Sequence, residues 1–113
     1  MIIVAGGDSF VFGAELKDET FYGSSSTWPM LLAQRTGLEG KNVAHSGASN
    51  NAIARLTMNA CERYPNCFVI VQWTFTNRYE FRFEFNTEDR NSPWYSINAW
   101  NLENPERIEF LFH

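Results

Sequence analysis

Three blocks of apolar residues in the first 74 positions predict three β-strands. Residues 2–5 form a short apolar run that ends at a Gly-Gly pair. Residues 67–73 form the most continuous apolar run in the chain, and a shorter strand is predicted over residues 41–45, centred on Val43 and Ala44. Short apolar runs without alternation are typical of strands buried on both faces. We therefore expect the first and third strands to be buried.

Two amphipathic segments between these strands predict helices. The hydroxyl residue Thr27 followed by Pro29 is a helix-start signal, and Gly37 is the predicted end. The apolar face of this helix is predicted to consist of Trp28, Leu31 and Leu32. A second helix is predicted over residues 51–63, with apolar positions three and four residues apart. These positions are Ile53, Leu56, Ala60 and Tyr64.

The order strand, helix, strand, helix, strand predicts an α/β domain with a parallel sheet over residues 1–78. The carboxyl ends of parallel strands meet at one edge of the sheet, where open α/β sheets place their sites. Polar turns follow the three strands at residues 7–9, 46–47 and 74–78. We expect these three turns to lie together.

Residues 79–113 have a different pattern, which predicts a β-extension of the same domain. Aromatic and charged residues alternate over residues 79–85, and a period of two is typical of a strand with one apolar face. Ile108, Phe110 and Phe112 alternate in the same way, and residues 96–100 are a further candidate strand. We expect an antiparallel hairpin whose aromatic face packs on the core of the domain. An apolar strand edge also invites pairing, so we predict a homodimer or larger oligomer through residues 79–112.

Composition and charge exclude several classes of protein. The 113 residues are 44% apolar and carry a net charge of −4, which indicates a globular chain without the basic face of a nucleic-acid binder. No apolar run approaches the ~20 residues of a membrane helix, so we expect no membrane association and a cytoplasmic location. Cys61 and Cys67 match no metal pattern with the two histidines. We expect two buried or half-buried thiols, no metal and no cofactor.

Ser9 is the main candidate for chemistry. It follows the first strand directly on a glycine-containing turn, Gly7-Asp8-Ser9, so its hydroxyl is expected at the edge of the sheet. Backbone amides of such a turn are able to face a developing oxyanion, and Asp8 is expected to brace the turn by accepting from them. On the triplet alone a plain turn is the favoured interpretation, because these are common turn residues. The position directly after the strand favours a functional one.

The sequence resembles the SGNH, or GDSL-type, serine hydrolase family over residues 1–78. The segment IIVAGGDSFVFG, residues 2–13, resembles the first family block, in which the serine is the nucleophile. The segment NVAHSGAS, residues 42–49, resembles the second block, in which a glycine amide donates to the oxyanion, and Gly47 matches that glycine. The resemblance implies a flavodoxin-like three-layer fold with a parallel sheet, and hydrolysis of a small acyl ester or thioester through acyl-Ser9.

The third and fourth family blocks match less well. The family carries Gly-x-Asn-Asp after the third strand, with the Asn as an oxyanion donor, and here Thr76 takes that place with Asn77 next to it. Thr74, Thr76 and Asn77 remain alternative donors. Asp8, Thr74 and Arg78 are the residues expected to line the substrate-binding edge. The Asp-x-x-His block that supplies the catalytic base has no match at either His45 or His113.

A serine without a base is a weak nucleophile, so this chain alone is expected to be a poor enzyme. Two explanations for the missing block stay open: a chain that is the N-terminal part of a longer hydrolase, which we favour, and a relative that has lost its base. The competing hypothesis is a non-catalytic α/β module that binds a small molecule or a protein.

Overall fold

The computed structural model describes residues 1–82 and 94–97, which form five strands and three helices. In chain order these elements are β1 (Ile2–Gly6), α1 (Ser9–Phe12), α2 (Trp28–Thr36), β2 (Glu39–Asn42), α3 (Asn50–Arg63), β3 (Cys67–Val71), β4 (Tyr79–Arg82) and β5 (Trp94–Ile97). Several predicted features lie outside the described residues. They are the alternation at Phe83 and Phe85, the strand at Ile108, Phe110 and Phe112, His113, and most of the surface predicted to form an oligomer.

Strands β1, β2 and β3 form one parallel sheet in the order β2-β1-β3, so the predicted α/β arrangement is confirmed. Apolar clusters cover β1 on both faces. On one face Ala5 packs with Val11, just after the start of α1, and with Met30 of α2. On the other face Ile53 of α3 packs with Val71 of β3. Helices on the two faces of a parallel sheet make a three-layer domain, compatible with a flavodoxin-like arrangement.

The first strand is buried as predicted, and close packing explains why it ends in glycine. Ile3, Val4 and Ala5 are buried, with Val4 completely so. A Cβ atom at Gly6 would lie 2.2 Å from the hydroxyl oxygen of Thr57 on α3. Only glycine therefore lets α3 approach the end of β1 this closely.

The prediction that β3 is buried is wrong. β3 lies at one edge of the sheet, and Phe68 and Val69 are 57% and 41% exposed. Their side chains point to opposite faces of the sheet, so each face of β3 is only partly covered. An apolar run thus predicted the strand correctly but not its place in the sheet. Strand β3 also ends at Val71, two residues before the predicted end.

Strand β2 begins and ends earlier than the predicted range of residues 41–45. Its pairing with β1 covers Glu39–Asn42, because Gly40 allows Met30 of α2 to pack against the strand. A Cβ atom there would lie 2.9 Å from the Met30 sulfur. The amides of Val43 and His45 still donate to the carbonyls of Ala5 and Gly7, at 2.9 and 3.1 Å. The chain therefore continues alongside β1 beyond β2.

The helix α2 begins after Thr27 and ends at Gly37 as predicted, but it presents a different face to the sheet. Trp28, Leu31 and Leu32 are exposed, whereas Pro29, Met30 and Ala33 are buried. Packing of Met30 and Ala33 against Gly40 determines this face. The helix α3 begins at Asn50, one residue earlier than predicted, and buries Ile53 and Ala60 of the predicted apolar face.

A short helix, α1, lies where the sequence predicted only a loop. Asp8 caps it by accepting a hydrogen bond from the Phe10 amide at 3.0 Å. Gly13 ends it in the left-handed conformation, with its amide donating to the Ser9 carbonyl. A single helical turn is too short to show a helical period in the sequence. Only the capping residue Asp8 could have indicated this helix.

Strands β4 and β5 form an antiparallel pair as predicted, although β5 begins at Trp94, two residues before the candidate strand at residues 96–100. The faces of β4 are opposite to the prediction. Tyr79 and Phe81 are exposed, while the side chain of Glu80 is 5% exposed and forms an ion pair with Arg55 of α3, 2.6 Å from Nη2. The cation on α3 draws the charged face of β4 inward. Described residues of β4 thus do not pack an aromatic face on the core.

Candidate active site

Ser9 lies directly after the central strand, where two buried residues fix the turn. Gly7 and Asp8 are buried, and Ser9 is half-buried as the first residue of α1. A Cβ atom at Gly7 would lie 2.5 Å from a Val11 methyl group, so the turn requires glycine there. The Ser9 amide opens the helix, where an N–H group has no partner within the helix. Asp8 therefore braces the turn as predicted and leaves this amide available.

The second predicted turn lies beside the first. The His45 amide donates to the Gly7 carbonyl at 3.1 Å, and the Ala48 amide donates to the His45 carbonyl at 3.2 Å. This four-residue turn has Gly47 at its third position with φ +76°, as a type II turn requires. The turn's hydrogen bond uses the Ala48 amide and not the Gly47 amide. A Cβ atom at Gly47 would meet nothing within 4 Å, so backbone conformation alone selects glycine.

The third predicted turn is joined to the second by a pair of hydrogen bonds. Asn50, the first residue of α3, accepts from the Thr74 amide at 2.8 Å and donates to the Thr74 carbonyl at 3.2 Å. The sequence analysis did not select Asn50, although it closes the polar turn before α3. A side-chain amide that satisfies both backbone groups of one residue fixes the course of the chain after β3.

Thr74 and Arg78 join the third turn to the first. The Thr74 hydroxyl donates to Asp8 Oδ2 at 2.7 Å, across 66 positions of sequence. Arg78 Nη1 donates to the Thr74 hydroxyl at 3.0 Å and lies 3.6 Å from Asp8 Oδ2. The same nitrogen donates to the Ala48 carbonyl at 3.4 Å. The three turns therefore lie together at the carboxyl edge of the sheet, as the alternation of strands and helices predicted.

Asp8, Thr74 and Arg78, the residues predicted to line the substrate-binding edge, have different roles in this hydrogen-bond network. Asp8 is 4% exposed, so a carboxylate there needs the donors that Phe10, Thr74 and Arg78 supply. A threonine hydroxyl has one proton, and that of Thr74 is directed to Asp8. Arg78 is held against Thr74 and Ala48, with its guanidinium carbon 5.4 Å from the centre of the Phe75 ring.

The remaining predicted donors lie on the exposed side of the third turn. Thr76 and Asn77 are exposed, between the internally bonded Thr74 and Arg78. His45 is also exposed, and its Nδ1 lies 2.9 Å from the Ser46 carbonyl oxygen. Within residues 1–82 the hydrogen-bond contact of the His45 imidazole thus lies in its own turn and does not involve Ser9.

A shallow cavity of about 230 Å³ opens between the first and third turns, and its lining includes the residues on both sides of Ser9 but not Ser9 itself. Its lining comprises Asp8, Phe10, Gln72, Trp73, Thr74 and Phe75. The rings of Phe10, Trp73 and Phe75 are exposed, and Gln72 is held by the Trp28 indole, which donates to its Oε1 at 2.9 Å. Sequence reasoning missed these aromatic residues because Phe10 lies 63 positions before Trp73, and no spacing in the sequence shows that the two segments line one cavity.

Comparisons of the chain with protein-family models, curated proteins and solved structures found no match. Among the described residues there is no helix long and apolar enough to cross a membrane. The described part of the chain likewise contains no cluster of three or more side chains suited to hold a metal ion.

Proposed function

We propose that this chain carries the nucleophile and oxyanion groups of an SGNH-type hydrolase that cleaves esters or thioesters through an acyl-Ser9 intermediate. The observation that carries the proposal is the hydrogen bond between Asp8 and Thr74. This bond joins the serine turn to the third turn. Asn50 then joins the third turn to the second through its two hydrogen bonds with Thr74. Ser9 therefore stands within a set of fixed polar turns and not on an isolated loop.

Two backbone amides are suited to receive the oxyanion. The Ser9 amide is unused by α1, and the Gly47 amide is unused by its own turn. Both turns are anchored to one another through the His45 amide and the Gly7 carbonyl. Donors that are held in place before the reaction stabilise a developing negative charge without reorganisation.

The hydrogen-bond directions narrow the choice of a side-chain donor. Since the Thr74 proton is directed to Asp8, we assign the third oxyanion donor to Thr76 or Asn77. Loss of one such donor typically costs about 2.7–4 kcal/mol of transition-state stabilisation. Arg78 acts through Ala48 and Thr74, as a positioning residue that holds the second and third turns in register.

The reaction requires a base that residues 1–82 do not place beside Ser9. With a base, the Ser9 oxygen attacks the carbonyl carbon and its proton passes to that base. The tetrahedral intermediate collapses, and the alcohol or thiol leaves with the proton. Water then attacks the acyl-serine in the same way, which releases the carboxylic acid and restores the serine hydroxyl.

Chemical rescue tests this proposal without the missing base. The full chain is incubated with a fluorophosphonate and increasing imidazole, and the adduct is located by peptide mass spectrometry. We expect modification of Ser9 that rises with the imidazole concentration, because imidazole supplies the base and the fixed amides receive the phosphoryl oxygen.

Two variants make the result specific. Ser9→Ala removes the nucleophile and is expected to abolish the adduct, whereas Ser46→Ala removes an exposed serine of the neighbouring turn and is expected to leave labelling unchanged. Labelling of Ser46 at the same rate as Ser9, or imidazole without effect on Ser9, would refute the proposal.

The cavity supports a second candidate function, the binding of a small apolar molecule without catalysis. Three exposed aromatic rings around an open cavity are typical of a ligand site, and Trp73 provides a fluorescence signal. In that case Ser9→Ala would leave the binding of a short-chain alkyl ester unchanged, and no imidazole-dependent adduct would form on the wild-type chain.

A further inference from the structure

A pair of free thiols lies at the end of the sheet opposite to Ser9. Cys61 is in the last turn of α3, and Cys67 is the first residue of β3, where it pairs with Ile2 of β1. Both are half-buried, and their sulfur atoms are 3.8 Å apart. A disulfide places its sulfur atoms about 2 Å apart, so closure requires an approach of less than about 2 Å.

We propose that Cys61 and Cys67 form a reversible dithiol–disulfide site that reacts with low-molecular-weight disulfides such as glutathione disulfide. One cysteine thiolate attacks a sulfur of glutathione disulfide, which forms a mixed disulfide and expels one glutathione thiolate. The second cysteine then attacks the protein sulfur of that mixed disulfide and expels the second glutathione. The two protons of the cysteine thiols end on the two glutathione thiols, so the protein loses two electrons and glutathione disulfide gains them.

The geometry favours the second step, since the attacking sulfur already lies in contact with the sulfur to be attacked. Partial exposure of both side chains gives the first step its access. Burial raises the pKa of the Cys61 thiol, with the neighbouring Cys67 adding to the shift. Cys61 therefore rests as a thiol at neutral pH, and oxidation is expected to accelerate as the pH rises.

The position of the pair gives the disulfide a structural consequence. Helix α3 and strand β3 are already joined at the active-site end, where Asn50 holds Thr74. A Cys61–Cys67 disulfide joins the same two elements at their other end. The closed loop is short, so the bond is expected to restrain the local turn and not to act as a general stabiliser.

Thiol mapping of the full chain tests the site. The protein is treated with glutathione disulfide, remaining thiols are alkylated, and peptides are analysed without reduction. We expect a Cys61–Cys67 disulfide, an intact mass lower by two hydrogen atoms, and full reversal by dithiothreitol. Amide hydrogen exchange in residues 60–67 is expected to slow in the oxidised form and to recover on reduction.

Single variants separate this mechanism from simple thiol modification. Cys61→Ser and Cys67→Ser each lack the second thiol, so each is expected to retain a stable glutathione adduct that the wild-type chain does not accumulate. A persistent adduct on the wild-type chain, or two free thiols after treatment at pH 9, would overturn the proposal.

An arsenical provides a test that does not depend on the folding of the variants. Phenylarsine oxide bridges two neighbouring thiols, so the wild-type chain is expected to bind one equivalent that excess glutathione does not remove and dithiothreitol does. Failure to retain the arsenical in the presence of glutathione would also overturn the proposal. None of these outcomes depends on Ser9.

Discussion

Strands β1 and β3 have similar apolar sequences and are paired along their whole length, but they differ in how deeply they are buried. Val4 of β1 is 0% exposed, whereas its partner in register, Val69 of β3, is 41% exposed. The central strand is covered by α1 and α2 on one face and by α3 on the other. Strand β3 lies at an edge of the sheet, with no neighbour on its other side among the described strands, and the helices cover each of its faces only in part.

The turns that follow these strands also differ in burial: the turn after β1 is largely buried and the turn after β3 is largely exposed. After β1, Gly7 and Asp8 are buried and packed, and the only half-exposed group is Ser9. After β3, four of the five residues 73–77 are exposed, and Thr74 is held by bonds to Asp8 and Asn50. The turn after β1 therefore supplies the buried part of the candidate site, and polar side chains hold the turn after β3 against it.

The largest effect is expected where the two turns meet. Asp8→Ala removes the cap of α1, the acceptor of Thr74 and the charge beside Arg78, whose side chain is 18% exposed. Breaking a buried ion pair from one side typically costs about 3–5 kcal/mol. We expect the free energy of unfolding, measured in urea, to fall by about 3 kcal/mol.

Asp8→Asn is the matched control, because its side-chain oxygen is still able to accept from the Phe10 amide. We expect a loss smaller than that of Asp8→Ala, with labelling of Ser9 reduced in both. If Asp8→Ala unfolds at the same urea concentration as the wild-type chain, the turns are not held together by this network.

A smaller loss is expected at the end of β1. Gly6→Ala places a methyl group 2.2 Å from the Thr57 hydroxyl oxygen, and overpacking of this kind costs about 1–3 kcal/mol. That hydroxyl is buried without a hydrogen-bond partner among the described residues, so little is lost when it is removed. Adding Thr57→Ala is therefore expected to restore much of the stability of Gly6→Ala.

The double-mutant cycle has an internal control at Gly37. Gly37→Ala is strained by its φ of +73° but meets no neighbouring atom, so Thr57→Ala is expected to bring no recovery there. If the losses in free energy of unfolding for Gly6→Ala and Thr57→Ala are additive, Thr57 of α3 does not pack against Gly6.

The comparison also explains how much of the fold the sequence could predict. Alternation of strands and helices predicted the parallel sheet and the meeting of three turns, because both follow from chain order. Burial of β3 and the inward face of α2 could not be predicted in that way. They depend on which strand lies at the edge and on Gly40, a residue whose role is visible only with Met30 packed against it.

Prediction of the site was limited for a related reason. The position of Ser9 after β1 and the glycine at position 47 are local features, and both lie at the predicted edge of the sheet. The tasks of Asp8, Thr74 and Arg78 depend on hydrogen bonds across 24 to 66 residues. No spacing in the sequence shows that the Thr74 hydroxyl donates its proton to Asp8.

The smallest effects give the most direct test of the difference between the strands. Val4 and Val69 lie opposite each other and face the same side of the sheet, and Val→Thr changes a methyl group to a hydroxyl of nearly equal size. Val4→Thr places a hydroxyl at a fully buried position and is expected to cost about 1–3 kcal/mol. Val69→Thr leaves the hydroxyl in contact with water and is expected to change the free energy of unfolding by less than about 0.5 kcal/mol. Equal losses at both positions would mean that β3 is covered as fully as β1 in solution, for instance by a second copy of the chain, and sedimentation of the Val69→Thr variant beside the wild-type chain would distinguish that case.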